Sequence, residues 1–347
     1  MSMTTNTLTP AQVRSRIAKG KFRNHAMLSN LALSFFQTSQ SYFARSIFPI
    51  CPVDMSAGSY YVFELEDLLR DGWQKKPAYG KVMPTAIGEH TETYSVEVYQ
   101  MIMGIDEIRE TDVKRREGPA FANNSRQKQT RLIAEQANIH LDKAFANGFF
   151  NKDAWNDVRT GVDSTTPGDD QFIKFSNDNS DPVDYVAGLK LEMLEKTGRE
   201  PNRMAMGPDV FRGLRKHPAI LERVKYTGST ANPAKVTQKV LAELFEMEHI
   251  SVMKSIQNKA TQGKEADIGF IANRKDMLLA YAPDRPSIQE PSAGYILTWD
   301  MLGNGQTMPI FNYDGEGGTH SEYVEGLMSY AMHKTCDDLA IYLSDVV

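Results

Sequence analysis

The chain has little cysteine: two residues in 347, Cys51 and Cys336, with no CxxC pair. That excludes a disulfide scaffold and a thiolate zinc site, so both thiols are expected to stay reduced and to act as small apolar side chains. No apolar run approaches the roughly 18 residues of a membrane span, and the first residues lack the basic, apolar and small-residue order of a secretory signal. The protein is therefore expected to remain in the cytoplasm where it is made. The seven histidines are scattered, without an HExxH or HxH pair, and there is no GxSxG elbow. Neither Gly303-Asn304-Gly305 nor Asp314-Gly315-Glu316-Gly317-Gly318 runs into the Gly-Lys-Ser/Thr of a phosphate loop. Asp163, Asp169, Asp170, Asp178 and Asp181 miss the spacing of an EF-hand, which leaves a solvated acidic loop. No catalytic, cofactor or metal residue is assigned, and nothing in the chain asks for an enzyme.

Residues 1–53 also lack any acid. They carry Arg14, Arg16, Lys19, Lys21, Arg23 and Arg45, a charge of +6, so the net charge of -5 leaves -11 on the remainder. Six cations over 53 residues are sparse for a phosphate-binding segment, and a solvated or intersubunit arm is the better reading. The rest is ordinary for a globular protein of one to three domains, with 41% hydrophobic and 24% charged residues.

In chain order, Ile47 to Val53 is extended, because Pro49 and Pro52 disfavour helix before them; an apolar extended segment there needs another surface to cover it. Tyr60 to Leu65 reads as a strand, and Thr93 to Met103 as a longer one with Tyr94, Val96 and Val98 on one face. Between them lie about twenty residues punctuated by glycine and proline that build no core of their own; such an excursion serves binding or is an ordinary loop. Ile133, Ala137, Leu141, Ala144, Phe145 and Phe149 form one stripe of a helix from about Asn124 to Phe150, close to 40 Å long. Asn151 to Pro182 reads as a loop or small hairpin around Phe172 to Phe175, and the helix after it is expected to end at Gly198. Late strands are expected at Glu322 to Lys334 and Leu339 to Val346.

The densest signals run from Pro201 to Trp299. A short buried strand leads into Met206-Gly207-Pro208-Asp209-Val210-Phe211, where proline at a first helical position followed by aspartate starts a helix. His217-Pro218 opens a second one, followed by Arg223 and Lys225-Tyr226. Val236-Thr237 with Leu241-Ala242-Glu243-Leu244-Phe245 gives a third, and strands are expected at His249 to Ile256, Asp267 to Ala272 and Met277 to Tyr281. With Phe270-Ile271, Leu278-Leu279-Ala280-Tyr281-Ala282-Pro283, Pro291-Ser292-Ala293-Gly294-Tyr295 and Trp299, this block resembles the central domain of tailed-bacteriophage major capsid proteins of the Hong Kong 97 type.

That resemblance implies an α+β capsid fold. Its parts would be an N-terminal arm (1–53), an extended hairpin loop with its flanking strands (54–110), a peripheral domain with a long spine helix (111–200), an axial domain (201–299) and return strands of the peripheral domain (300–347). The function implied is self-assembly into pentamers and hexamers of an icosahedral shell around double-stranded DNA. Expected subunit contacts are Trp73, Lys75, Lys76, Tyr79 and Lys81 in the extended loop, and Tyr226, Thr227, Gly228, Lys259 and Gln262 in loops toward the capsomer axes. Arg14, Arg16, Phe48 and Ile50 are the expected contacts of the arm. Further partners would be a portal and a separate scaffolding protein, since only about fifty residues precede the first strand. DNA would be contacted without specificity, no membrane is involved, no cofactor is needed, and the location is the virion capsid, assembled in the host cytoplasm. A nanocompartment shell of the same fold, and a soluble α+β enzyme or ligand-binding protein, are the alternative readings.

Overall fold

A computed structural model of the chain describes residues 42–63, 70–71, 73–76, 78–82, 89–117, 123–225, 236–261, 263–287, 290–302 and 308–347. Its helices are α1 (Ala44–Ile47), α2 (Glu107–Glu117), α3 (Asn123–Gly148), α4 (Pro182–Thr197), α5 (Pro208–Leu214), α6 (Pro218–Lys225) and α7 (Gln238–Phe245). The strands of the first half are β1 (Ile50–Val53), β2 (Ala57–Phe63), β3 (Glu89–Ser95), β4 (Glu97–Asp106), β5 (Val158–Val162) and β6 (Gln171–Ile173). Those of the second half are β7 (Arg203–Met206), β8 (His249–Val252), β9 (Ile256–Asn258), β10 (Ile268–Phe270), β11 (Met277–Ala280), β12 (Gly294–Trp299), β13 (Ile310–Asp314), β14 (Ser321–Lys334) and β15 (Ala340–Ser344).

The six-stranded sheet, in the order β6-β5-β15-β11-β7-β8, lies between two cores. Met204 and Met206 of β7, Met277 and Leu279 of β11, and Ile341 and Leu343 of β15 face the core built with α4, α5, α6 and α7. Their alternates Ala205, Leu278, Ala280 and Tyr342 face the second core, which holds α1 and the inward stripe of α3. Burial on both faces is why these short strands read as continuous apolar runs. Local chemistry sets the ends of the helices. Asp181 caps α4 by accepting from the N–H groups of Val183 and Asp184 (3.1 and 3.3 Å). Gly198 closes it in the left-handed conformation (φ 69°), its N–H on the Leu194 carbonyl.

The second large sheet hangs on β14. β4 pairs along one side of it, while β13 and then β12 pair along the other, and β1 joins in parallel beyond β12. α3 lies across its inner face, where Ile133 sits so close to Gly326 that any Cβ there would collide with it. Two small two-stranded sheets, β2 with β3 and β9 with β10, complete the fold.

Four elements differ from expectation. The strand expected over Thr93 to Met103 is two strands, because Val96 leaves the ladder and donates its N–H to the Ser56 carbonyl (2.7 Å). The break shifts the alternation by one residue: Tyr94 and Val96 are buried, but Val98 turns outward. The strand expected over His249 to Ile256 likewise splits into β8 and β9. Phe172 and Phe175 are not in a hairpin; β6 runs parallel to β5, with both rings packed on Tyr185. Of the two late strands, only β14 lies beside the long helix. β15 instead enters the six-stranded sheet between β5 and β11, because its unbroken apolar run Ala340-Ile341-Tyr342-Leu343 suits a position buried on both faces.

Candidate assembly interface

Three regions carry the expected contacts, and a fourth was not expected. The first is the entry of the N-terminal segment. Asp142 on α3 accepts hydrogen bonds from the backbone N–H groups of Phe43 (3.2 Å) and Ala44 (3.0 Å), so a carboxylate 98 residues away caps α1. Burial pushes the Asp142 carboxyl up to about 6, against the opposing pull of these N–H groups and of Arg45. Phe48 follows and is wholly buried, its ring 5.0 Å from both Phe145 and Phe149 and 6.4 Å from Trp155. Phe48 is thus corrected from an expected neighbour contact to a core residue of its own subunit. The surface that covers the apolar segment is the chain's own long helix. Ile50 is half-buried at the start of β1, opposite Ile296, while Arg14 and Arg16 lie outside the described residues.

The second region is the hairpin of β2 and β3, in register from Ala57 opposite Ser95 to Phe63 opposite Glu89. It forms a sheet of its own. At its base Tyr94 packs on Gly58, where an added Cβ would come within 2.9 Å of the tyrosine oxygen. Beyond the strands, Trp73 is 95% exposed and Tyr79 is fully so, with Lys75, Lys76 and Lys81 exposed beside them. Tyr79 has φ 62°, a conformation uncommon for a non-glycine residue. Among the described residues of the hairpin only its base is packed, through Tyr94, which joins a small core with Cys51, Val53 and Leu297.

The third is the β9–β10 turn. Asn258 ties it by accepting from the N–H groups of Ala260 and Asp267 (3.1 and 2.9 Å), which leaves Lys259 exposed. Gln262, and Tyr226, Thr227 and Gly228 in the other expected axial loop, lie outside the described residues.

Sequence reasoning missed the fourth, the outer face of β4, β14 and β13. Val98 and Ile102 of β4 are exposed there, with Phe311 and Tyr313 of β13, the latter ring 5.8 Å from Tyr323. The available signal was Ile310-Phe311-Asn312-Tyr313, an apolar alternation between two glycine-rich turns. Among the described residues, no group of three or more His, Cys, Asp or Glu could hold a metal ion. The buried His217 bonds to Ser180 (3.1 Å) and to the carbonyl of Asn177 (3.2 Å), joining the loop before α4 to the start of α6. No helix among the described residues is long and apolar enough to cross a membrane.

No family model matches the chain. Over 285 residues it is 26% identical to the major capsid protein of Burkholderia phage BcepMu, a match that covers 78% of this chain and 82% of that one. A phage-related protein of Bordetella bronchiseptica superposes with a TM-score of 0.64 at 19% identity, over 90% of this chain and 94% of the other. The mature capsid of bacteriophage PhiM1 does so with a TM-score of 0.52 at 11% identity, over 89% and 88%. The chain has the Hong Kong 97 type of capsid fold, and in sequence it resembles a major capsid protein of tailed phages over most of its length.

Proposed function

We propose that the protein is the major capsid protein of a tailed phage, a structural and non-enzymatic subunit. It assembles into pentamers and hexamers of an icosahedral shell around double-stranded DNA. The observation that carries this reading is the sequence match to a phage major capsid protein over 78% of the chain, together with a fold shared with a mature phage capsid over 89% of it. In this reading residues 1–53 are the arm and 54–110 the extended loop with its flanking strands. Residues 111–200 and 300–347 are assigned to the peripheral domain and 201–299 to the axial domain, except that β5, β6, α4 and β15 share the six-stranded sheet and its core with β7, β8 and β11 and so go with the axial domain. Trp73 and Tyr79 reach a neighbouring subunit and anchor there, with Lys75, Lys76 and Lys81 at the rim. Tyr226, Thr227, Gly228, Lys259 and Gln262 turn toward the capsomer axes. Arg14, Arg16 and Ile50 belong to the arm's contacts. A portal and a separate scaffolding protein complete the particle, DNA is held without specific contacts, and the shell forms in the host cytoplasm and persists as the virion capsid.

A shell of this kind sums many modest contacts, so single subunits bind weakly while the closed particle is stable. The test is light scattering of the purified protein after gel filtration, alone and with its scaffolding protein, followed by negative-stain microscopy. Rings or shells of megadalton mass are expected. A species of one to four chains that scaffold leaves unchanged would overturn the reading, and closed particles filled with an enzyme cargo and no DNA would move it to a nanocompartment.

A further inference from the structure

The strands β7, β8 and β11 separate two oppositely charged ends of the six-stranded sheet. β7 and β8 run parallel and β11 runs against them, so the starts of β7 and β8 share one end with the finish of β11. At that end Glu200, Glu246, Glu248, Asp284 and Glu290 line a single concavity of about 490 Å³. The outward cations there are Arg199 and Arg285, both exposed. Arg203 and Lys190 are each only 7% exposed, and so face inward. Arg203 donates to the Ser46 carbonyl (2.7 Å), and Lys190 lies under Glu200 (3.5 Å) and Glu246 (3.3 Å).

The other end, roughly 13 Å of strand away, is basic. Arg212, Arg215, Lys216, Lys254, Arg274 and Lys275 are all exposed there. They form one patch. Arg212 and Arg274 share Asp209 (3.4 and 3.0 Å), Arg215 and Lys254 both lie over the Phe211 ring (5.6 and 5.3 Å), and Lys216 and Lys275 line a concavity of about 420 Å³ with Arg212. Against these six cations the acids at that end are Asp209, already paired, Asp178 in the same concavity, and the exposed Asp345 that follows β15 beside Lys275. One short sheet thus carries an outward negative surface at one end and an outward positive surface at the other.

We infer that the basic end of one copy docks against the acidic end of the next, and that this head-to-tail pairing sets the direction in which subunits close into a ring. Like ends repel, which disfavours a two-fold pair; unlike ends give a heterologous contact, and only such a contact closes into rings. The inference rests on the shell reading above and names the chemistry of one of its contacts. Because the groups are exposed, the pairing is salt-sensitive: the screening length falls from about 30 Å at 0.01 M to about 3 Å at 1 M salt.

The test is charge reversal with rescue, read as ring and shell mass by light scattering at low and high salt. Lys254→Glu with Lys275→Glu reverses the basic end, and Asp284→Lys with Glu290→Lys reverses the acidic end. Each double variant is expected to raise the concentration needed for assembly at least tenfold, and the four-fold variant to recover most of the loss. Should a reversed chain fail to fold, as its thermal melt would reveal, the neutral set Lys254→Gln with Lys275→Gln is expected to weaken assembly and flatten its salt dependence. If the unaltered chain assembles and both reversed variants, or the neutral set, assemble equally well, the pairing is wrong. The same holds if the basic-end variant assembles normally and loses only DNA retention, since the patch would then serve nucleic acid. If the unaltered chain forms no rings at any salt, the shell reading itself fails.

Discussion

Replacing Phe48 by alanine separates an aromatic side chain that builds the subunit from those offered to a neighbour. The ring is wholly buried, in edge contact with Phe145, Phe149 and Trp155, and it lies so close to Gly294 that a Cβ there would come within 2.5 Å of it. Phenylalanine-to-alanine changes in such sites cost about 3–5 kcal/mol. The upper half of that range is expected here, because each well-placed aromatic pair is worth about 0.5–1.5 kcal/mol beyond its buried area. Helix α3 cannot close the gap, since its stripe is also held by Ile133 on Gly326 and by Asp142 on α1. Chemical denaturation of the unassembled subunit should therefore show a loss of about 4 kcal/mol. At about 2 °C per kcal/mol, the melting temperature should fall by roughly 8 °C. A loss below about 1.5 kcal/mol, or an effect seen only in assembled particles, would refute the assignment of Phe48 to its own subunit's core.

Trp73→Ala with Tyr79→Ala should do the reverse: subunit stability within about 0.5 kcal/mol of the parent, and assembly weakened by about 2 kcal/mol or more per contact, measured by the concentration needed for shells. Asp142 is expected to leave a mark on pH dependence. Its carboxyl titrates at about 6 in the folded chain against 3.8 unfolded, so the stability its proton confers is complete below about pH 4 and lost as pH rises through 6. Asp142→Asn keeps an oxygen for the Phe43 and Ala44 N–H groups without the charge, and its stability relative to the parent should improve by about 2–3 kcal/mol between pH 4 and pH 7.5; a constant difference in denaturation midpoints would contradict this. Gly207→Ala would drive a Cβ into the backbone carbonyl of Arg274 and should cost about 3 kcal/mol or leave the protein insoluble, as expression and melting would register.

What could be read in advance was local. Gly198 closes α4 by chemistry contained within a few residues, and the Pro208-Asp209 start of α5 and the stripe of α3 needed no knowledge of neighbours, whereas the Asp181 cap of α4 reads in the sequence only as part of an acidic loop. Identity of partners was not legible. Nothing near Val96 announces that its N–H leaves the ladder for Ser56, and the unbroken apolar run Ala340 to Leu343 signals burial on both faces without naming the strands that flank it. Phe48 was misjudged for the same reason: its extended, proline-flanked setting is visible in the sequence, but the aromatic residues that enclose it come from about a hundred positions later. Of the contact residues named in advance, Trp73, Lys75, Lys76, Tyr79, Lys81 and Lys259 are exposed, as a contact requires. What they touch is a property of the assembled particle.

The sheet suspended from β14 has a mechanical consequence. Fourteen extended residues reach about 48 Å, and the 26-residue helix α3 beside them about 39 Å, so the subunit contains a girder with a helical flange. β4, β12 and β13 are each fastened to that one strand, and β1 reaches it only through β12. Load applied at the hairpin side or at the β13 edge must therefore pass along β14 before it reaches the rest of the sheet. Bending gathers at the Ser56 and Val96 junction, where the hairpin leaves the sheet and the Val96 N–H donates to the Ser56 carbonyl. A wall built of such units would flex at these hairpin junctions while each girder kept its own form.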